Sequence, residues 1–97
     1  MITEIAVLFV KDNQIKEFEN DFKEAGKYIS AIPGYKKHSL QKCIEVSNKY
    51  VLLVEWDKLE DHTIGFRESH EYVEWKRLLH HHYDPFPIVE HFIQITC

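Results

Sequence analysis

The stretch Tyr50–Ser69, YVLLVEWDKLEDHTIGFRES, decides the fold that the sequence predicts. Its first part reads as a strand with apolar residues at both alternating positions: Tyr50, Leu52, Val54 and Trp56 on one face, Val51 and Leu53 on the other. A strand of this kind needs cover on both faces of its sheet. The next part, Asp57-Lys58-Leu59-Glu60, has the D-x-x-E form of a capping box and predicts a helix that begins after Asp57.

His62 is the most informative residue of this predicted helix. If the helix begins after Asp57, then Leu59, His62 and Phe66 share one face, and the spacing predicts that this face is buried. A titratable ring among apolar neighbours is costly unless it has a hydrogen-bond partner, water or a ligand. A single histidine in such a position is more often structural than catalytic, so its role depends on the residues around it.

Periodicity predicts the remaining elements. Strands are expected at Met1–Val10, Tyr35–Glu45, Tyr50–Trp56 and Ile88–Thr96. One amphipathic helix presents Ile15, Phe18, Phe22, Ala25 and Ile29, and another follows Ser69 with Tyr72, Trp75 and Leu79. The order predicts an α+β, ferredoxin-like βαββαβ fold with an antiparallel four-stranded sheet, as a single domain over residues 1–97.

The first predicted strand is also apolar on both faces. Ala6, Leu8 and Val10 lie on one side, and Ile5, Val7 and Phe9 lie on the other. The helices of a ferredoxin-like fold cover only one face of the sheet. We therefore predict that a second copy of the chain covers the other face, so that the protein is a homodimer.

Composition limits the possible partners and the compartment. The chain has 97 residues and a formal net charge of -4, with basic and acidic residues interleaved. No basic stripe is available for nucleic acid or an anionic membrane, and no apolar run reaches the roughly 20 residues that span a bilayer. Cys43 and Cys97 have no CxxC spacing, and the N-terminus reads as a strand rather than a signal peptide. We expect a cytoplasmic protein.

The chain resembles the antibiotic biosynthesis monooxygenase superfamily. The resemblance covers nearly the whole chain and is carried by the element order, Pro33-Gly34, the strand end Val54-Glu55-Trp56, and Glu60-Asp61-His62 with Ser69 and an aromatic helix downstream. It implies a dimeric α/β barrel. Members include cofactor-free oxygenases of quinols and anthrones, haem-degrading enzymes and proteins without known catalysis. The haem-degrading branch uses an asparagine, a tryptophan and a histidine that this chain does not match, since Phe66 and Lys76 stand near the last two positions.

The preferred interpretation is a cofactor-independent monooxygenase of a small aromatic compound, such as a quinol, phenol or anthrone. Such a substrate reduces dioxygen itself after losing a proton, and the protein supplies a base and a dry pocket without any cofactor. His62 and His91 are the candidate catalytic bases. The candidate substrate-binding walls are Trp56, Phe66, Tyr72 and Trp75, although aromatic residues at this spacing are often plain core. The alternatives are a non-catalytic small-ligand-binding or interaction module and, third, haem binding.

Two further features are interpreted as solvent-facing. Arg67 has the charge to balance an oxyanion, but its place after Phe66 predicts that it points away from the buried stripe. The triplet His80-His81-His82 would point in directions about 100° apart on a helix, so we predict that it does not converge on one metal ion. A solvated helix end is the expected structure there, and no metal site is predicted.

Overall fold

Four antiparallel strands and two α-helices form the fold of the computed structural model, which describes residues 1–96; Cys97 lies outside the described residues. The strands are β1 (Ile2–Phe9), β2 (Tyr35–Lys42), β3 (Lys49–Trp56) and β4 (Val89–Phe92), and the helices are α1 (Ile15–Ile29) and α2 (His70–Leu79). The sheet order is β2-β3-β1-β4. The predicted ferredoxin-like α+β fold is confirmed.

One face of the sheet is covered by the helices and carries the core. β3 buries Tyr50, Leu52, Val54 and Trp56 on this face, and α1 packs Phe18, Phe22, Ala25 and Ile29 against it. The α1 residues recur at steps of three and four, which is the spacing of one helix face. On β1 the same face carries Ala6 and Leu8 together with Glu4, a carboxylate that is only 5% exposed.

The other face of the sheet is apolar and is left open to solvent in the described chain. Val7 and Phe9 of β1 are 38% and 37% exposed, and Phe92 of β4 is also exposed. Val51 and Leu53 of β3 lie on the same face and are half-buried. The face predicted to need cover is thus apolar, as the alternation in β1 and β3 indicated.

The predicted capping box at Asp57 is wrong. Helical structure begins at Leu59, and Asp61–Phe66 forms a π-helical segment in which the Arg67 amide donates to the His62 carbonyl. The carboxylate of Asp61, not that of Asp57, accepts the Lys58 amide at 3.0 Å. Because a π-helix turns less per residue than an α-helix, the residues that share the buried face differ from those that α-helical spacing predicts. Leu59 is exposed, whereas His62 and Phe66 are buried.

A glycine turn holds this segment in place. Gly34 follows α1 with a φ of 91°, and its carbonyl accepts the Asp57 amide at 2.7 Å. A Cβ at Gly34 would lie 2.0 Å from Oδ2 of Asp61. The turn therefore requires glycine both for its backbone conformation and for the close approach of Asp61.

Two strands end well short of their predicted bounds, and β1 is shorter than predicted by one residue at each end. β2 ends at Lys42 rather than Glu45, and β4 covers Val89–Phe92 rather than Ile88–Thr96. β4 ends close to the start of its partner strand, since Phe92 pairs with Thr3 and β1 begins at Ile2. Ile93 and Ile95 are exposed. Across residues 1–96, none of the helices has the length and apolar character required to traverse a bilayer.

Candidate functional site

A cavity of about 280 Å³ lies between the helix-covered sheet face and α2. Its wall is largely apolar and aromatic, including Leu8, Leu52, Phe66, Tyr72, Trp75 and Leu79. Its polar lining comes from Glu4, His62, Arg67 and His80. An apolar pocket with a few convergent polar groups is the usual form of a small-molecule site, and the volume suits a small ring system.

A chain of polar contacts is centred on His62. Nδ1 of His62 lies 2.8 Å from Nε2 of His91, and Nε2 of His62 lies 3.4 Å from Oε1 of Glu4. The indole N–H of Trp56 donates to the same Glu4 oxygen at 2.9 Å. The ring of His62 stacks on Trp56, with centroids 5.5 Å apart and planes at 19°. One cluster thus joins β1, β3, β4 and the π-helical segment.

The strand register explains why these side chains meet. Glu4 of β1 pairs directly with His91 of β4, so the two share the helix-covered face. On the other side of β1, Glu4 pairs with Val54, which places Trp56 two residues along β3 on the same face. The π-helical segment then places His62 in contact with Glu4, Trp56 and His91.

Burial controls the charge of the cluster. Burial, followed by the charges of Arg67 and His91, lowers the pKa of His62 to about 3. Burial also raises the pKa of Glu4, against the opposing hydrogen bond from Trp56 and the charge of Arg67. The pKa of His91 is lowered by burial and then by Arg67. His62 is therefore neutral near pH 7 and has one nitrogen able to accept a proton.

Arg67 corrects an expectation from the sequence. The residue is exposed, as predicted, but its side chain also lines the cavity rather than pointing away from it. A long side chain with a charged end can reach across an apolar wall while its head stays in water. The positive charge of Arg67 lowers the pKa of Glu4, His62 and His91, so it acts on all three titratable groups of the polar cluster.

The other sequence-predicted site residues fall into two groups. His62 and three of the predicted wall residues, Phe66, Tyr72 and Trp75, line the cavity. Phe66 packs edge-on against Tyr72 and Trp75, with centroids 5.1 and 5.6 Å apart. Trp56 and His91 are not among the lining residues of the described chain; they contact His62 instead. Their roles with a substrate stay predictions.

Glu4 and His80 are site residues that the sequence reasoning missed. Glu4 stands in phase with Ala6 and Leu8, and a carboxylate on the buried side of an apolar strand was the available signal. His80 lines the cavity, and burial, followed by the charge of Lys76, lowers its pKa to about 4. The cavity also borders Tyr83.

The solvated helix end predicted for the histidine triplet is wrong for two of its three residues. α2 ends at Leu79, and His80–His82 forms a 3-10 turn. His80 is half-buried and His82 is only 3% exposed, whereas His81 is exposed. The rings of His81 and His82 are 4.0 Å apart, so the argument that consecutive histidines diverge does not hold in this turn.

Comparison with known proteins identifies the family. The family model for antibiotic biosynthesis monooxygenase matches residues 1–78. The uncharacterised protein YczJ of Bacillus subtilis (strain 168) is 56% identical over 92 residues, covering 95% of this chain and 97% of YczJ. A Bordetella bronchiseptica crystal structure assigned to the antibiotic biosynthesis monooxygenases has 27% identity and a TM-score of 0.93, covering 98% of this chain and 97% of that one.

A more distant structure shares the fold alone. SnoaB from Streptomyces nogalater, described as a cofactor-independent oxygenase, has 17% identity and a TM-score of 0.86, and the alignment covers 99% of this chain and 94% of SnoaB. The family match and the identity with YczJ are the stronger findings, because each covers most of the chain. This chain belongs to the antibiotic biosynthesis monooxygenase family.

Proposed function

We propose that the protein is a cofactor-independent monooxygenase that oxidises a small aromatic compound with an acidic C–H or O–H group, such as a quinol, phenol or anthrone. The observation that carries the proposal is the neutral, buried His62 at the wall of an aromatic cavity, held between Glu4 and His91. Family membership supports the reaction class, and the fold shared with SnoaB is consistent with it.

His62 would receive the proton of the substrate. A single buried imidazolium is costly, which is why the pKa of His62 is low. The contacts of 3.4 Å to Glu4 and 2.8 Å to His91 let the proton be shared with two further groups. Arg67, at the same cavity, would balance the negative charge left on the substrate. Proton removal and oxyanion stabilisation would thus come from two residues that line one cavity.

The substrate anion would then reduce dioxygen. For a methylene substrate such as an anthrone, one oxygen atom of O₂ enters the carbon as a carbonyl and the other leaves as water with the two hydrogens. All electrons come from the substrate. The apolar wall formed by residues such as Leu52, Phe66 and Trp75 keeps water from the anion.

Oxygen uptake with a panel of quinols and anthrones tests this function. His62→Gln and His91→Gln should each reduce the rate, by about 10²–10⁴-fold for a residue that acts as the base. His70→Gln is the matched control, since His70 is exposed and its ring is not part of the cavity lining. Folding of each variant is checked by circular dichroism. Unchanged uptake in both His62 and His91 variants would overturn their assignment.

A non-catalytic ligand-binding module is the second candidate. It is favoured by the fact that both ring nitrogens of His62 already have protein partners, as in a structural histidine. Such a module would show quenching of tryptophan fluorescence by aromatic ligands, because Trp75 lines the cavity, without any oxygen uptake. Oxygen uptake that depends on His62 would exclude it.

We also propose that the protein is a homodimer joined through the open sheet face. Its support is the apolar surface made by residues such as Val7, Phe9, Leu53 and Phe92. Analytical ultracentrifugation at micromolar concentration should give a dimer, and Leu53→Lys should give a monomer. Val73→Lys, on exposed α2 surface, is the control that should remain dimeric. A folded wild-type monomer would contradict the proposal.

A further inference from the structure

We propose that Asp21, His81 and His82 form a binding site for a divalent transition-metal ion, with Zn²⁺ as the best match. One ligand atom from each residue lies within 4.8 Å of the others. Nε2 of His82 and Oδ2 of Asp21 are 2.8 Å apart, and the rings of His81 and His82 are 4.0 Å apart. None of the three lines the aromatic cavity in the described chain, so this site is separate from the proposed active site.

Two parts of the fold bring these residues together. Asp21 lies on α1, and both histidines lie in the 3-10 turn that follows α2. His82 is buried with its ring edge-on to Phe18, 6.0 Å between centroids, which fixes the ring plane. Asp21 is 38% exposed in its side chain and His81 is exposed, so an ion can reach the cluster from solvent.

The second nitrogen of His82 is already placed as in a metal-bound histidine. Nδ1 lies 2.9 Å from Oε1 of Gln14. When Nδ1–H donates to this oxygen, the neutral ring directs the lone pair of Nε2 at Asp21. Metal-bound histidines commonly donate their other N–H to a carbonyl or carboxylate oxygen in this manner. With the Gln14 amide turned, Nε2–H donates to Asp21 instead, and a metal ion would displace that proton.

The ligand set selects the class of ion. Two imidazole nitrogens and one carboxylate oxygen suit Zn²⁺, Co²⁺, Ni²⁺ or Cu²⁺ better than Mg²⁺ or Ca²⁺, which prefer oxygen ligands. Bond lengths near 2.0 Å in a tetrahedral site require ligand atoms about 3.3 Å apart. Oδ2 of Asp21 and Nε2 of His82 would therefore separate by about 0.5 Å, and the exposed ring of His81 would turn inward. Water would fill the fourth position.

Calorimetric titration of tag-free protein with Zn²⁺ near neutral pH tests the site. The wild type should bind one ion per chain, and the thermal midpoint should rise with Zn²⁺ and return with EDTA. Asp21→Asn and His81→Ala should each weaken binding at least tenfold while the apo proteins stay folded, because neither residue is buried. His70→Ala is the control, since it removes an exposed histidine outside the cluster. Cobalt added in place of zinc should give a visible spectrum that is lost in the same two variants.

The contrary outcomes are equally definite. The proposal fails if Zn²⁺ does not bind, if neither Asp21→Asn nor His81→Ala changes the affinity, or if His70→Ala weakens binding as much as they do. A stoichiometry of one ion per two chains would also overturn it, because the site is built within one chain. None of these readouts depends on oxygen uptake, so they test the metal site separately from the proposed monooxygenase activity.

Discussion

Nδ1 of His62 lies 2.8 Å from Nε2 of His91, although the two residues are 29 positions apart in the chain. One ring comes from a π-helical segment and the other from the edge strand β4. Between them, Glu4 contacts His62 and pairs in register with His91. The charge states of these groups are therefore linked.

Acidification should destabilise the protein below the ordinary pKa of histidine. Burial lowers the pKa of His62 from 6.5 to about 3. Between pH 6.5 and about 3, the unfolded chain takes up a proton on this ring that the folded chain excludes. The free energy of unfolding therefore falls by up to about 1.4 kcal/mol for each pH unit of acidification in this range. Urea denaturation at several pH values between about 7.5 and 4 measures the slope.

His62→Phe isolates this contribution. The variant keeps an aromatic ring against Trp56 but removes the titrating group, so its stability should depend less steeply on pH than that of the wild type. His70→Gln, at an exposed position, should keep the wild-type slope. Equal slopes for the wild type and His62→Phe would show that His62 is not held neutral by the fold.

Arg67→Gln should raise the pKa of His91, because the charge of Arg67 is one cause of its depression. NMR titration of the imidazole signals measures the change. The same variant should bind aromatic anions more weakly, with a smaller dependence on salt. Arg77→Gln is the matched control: Arg77 is exposed and pairs with Glu74 on α2, and its removal should leave both properties unchanged. A His91 pKa that responds equally to both substitutions would contradict a local effect.

Trp56→Phe should destabilise the protein by about 1–3 kcal/mol, because it leaves the buried Glu4 carboxyl without its indole donor. Glu4→Gln keeps an acceptor for that donor and should cost less. Glu4→Leu removes the acceptor, so the double variant Trp56→Phe/Glu4→Leu measures the coupling, which should reach about 0.5–3 kcal/mol for groups in direct contact. Urea denaturation of the four proteins gives the cycle. Additive effects would mean that the Trp56–Glu4 hydrogen bond contributes nothing to stability.

Gly34→Ala should destabilise the protein by about 1–3 kcal/mol, because alanine is strained at this positive φ. The total loss of stability should be larger, because the added Cβ also forces the Asp61 carboxylate to move. It should also weaken substrate binding, since Asp61 begins the segment that carries His62. Gly65→Ala is the paired control: its Cβ would meet its nearest atoms at 3.7 and 3.9 Å, ordinary contact distances, so its stability should be equal or higher. Equal destabilisation by both substitutions would show that the Gly34 turn has no special role.

The sheet and both helices were predictable because each has a clear period. The alternation in Tyr50–Trp56 and the helical spacing from Phe18 to Ile29 identified the buried faces, and those residues are buried. The length of β4 was not predictable from its own residues. The alternation continues past Phe92, but in the observed register Phe92 lies opposite Thr3, close to the start of β1 at Ile2.

The site was only partly predictable. His62 and the aromatic wall follow from local spacing, whereas the position of Arg67 depends on the π-helical segment, whose i→i+5 hydrogen bonding changes the phase that α-helical spacing assumes. The meeting of Glu4, Trp56 and His91 depends on strand order and register, which are tertiary properties. His82 was misplaced for a similar reason: its burial comes from α1, which is distant in sequence.

Among the described residues, β4 pairs with β1 along four residue pairs, from Thr3–Phe92 to Ala6–Val89, and it carries His91. Short edge elements open locally at a lower free energy than the core that they border. Fraying of this strand would separate the imidazole pair while β1, β3 and the helices stay packed. On warming, loss of the proposed oxygen uptake should therefore precede the melting transition, and the gap between the two temperatures would report the local stability of β4.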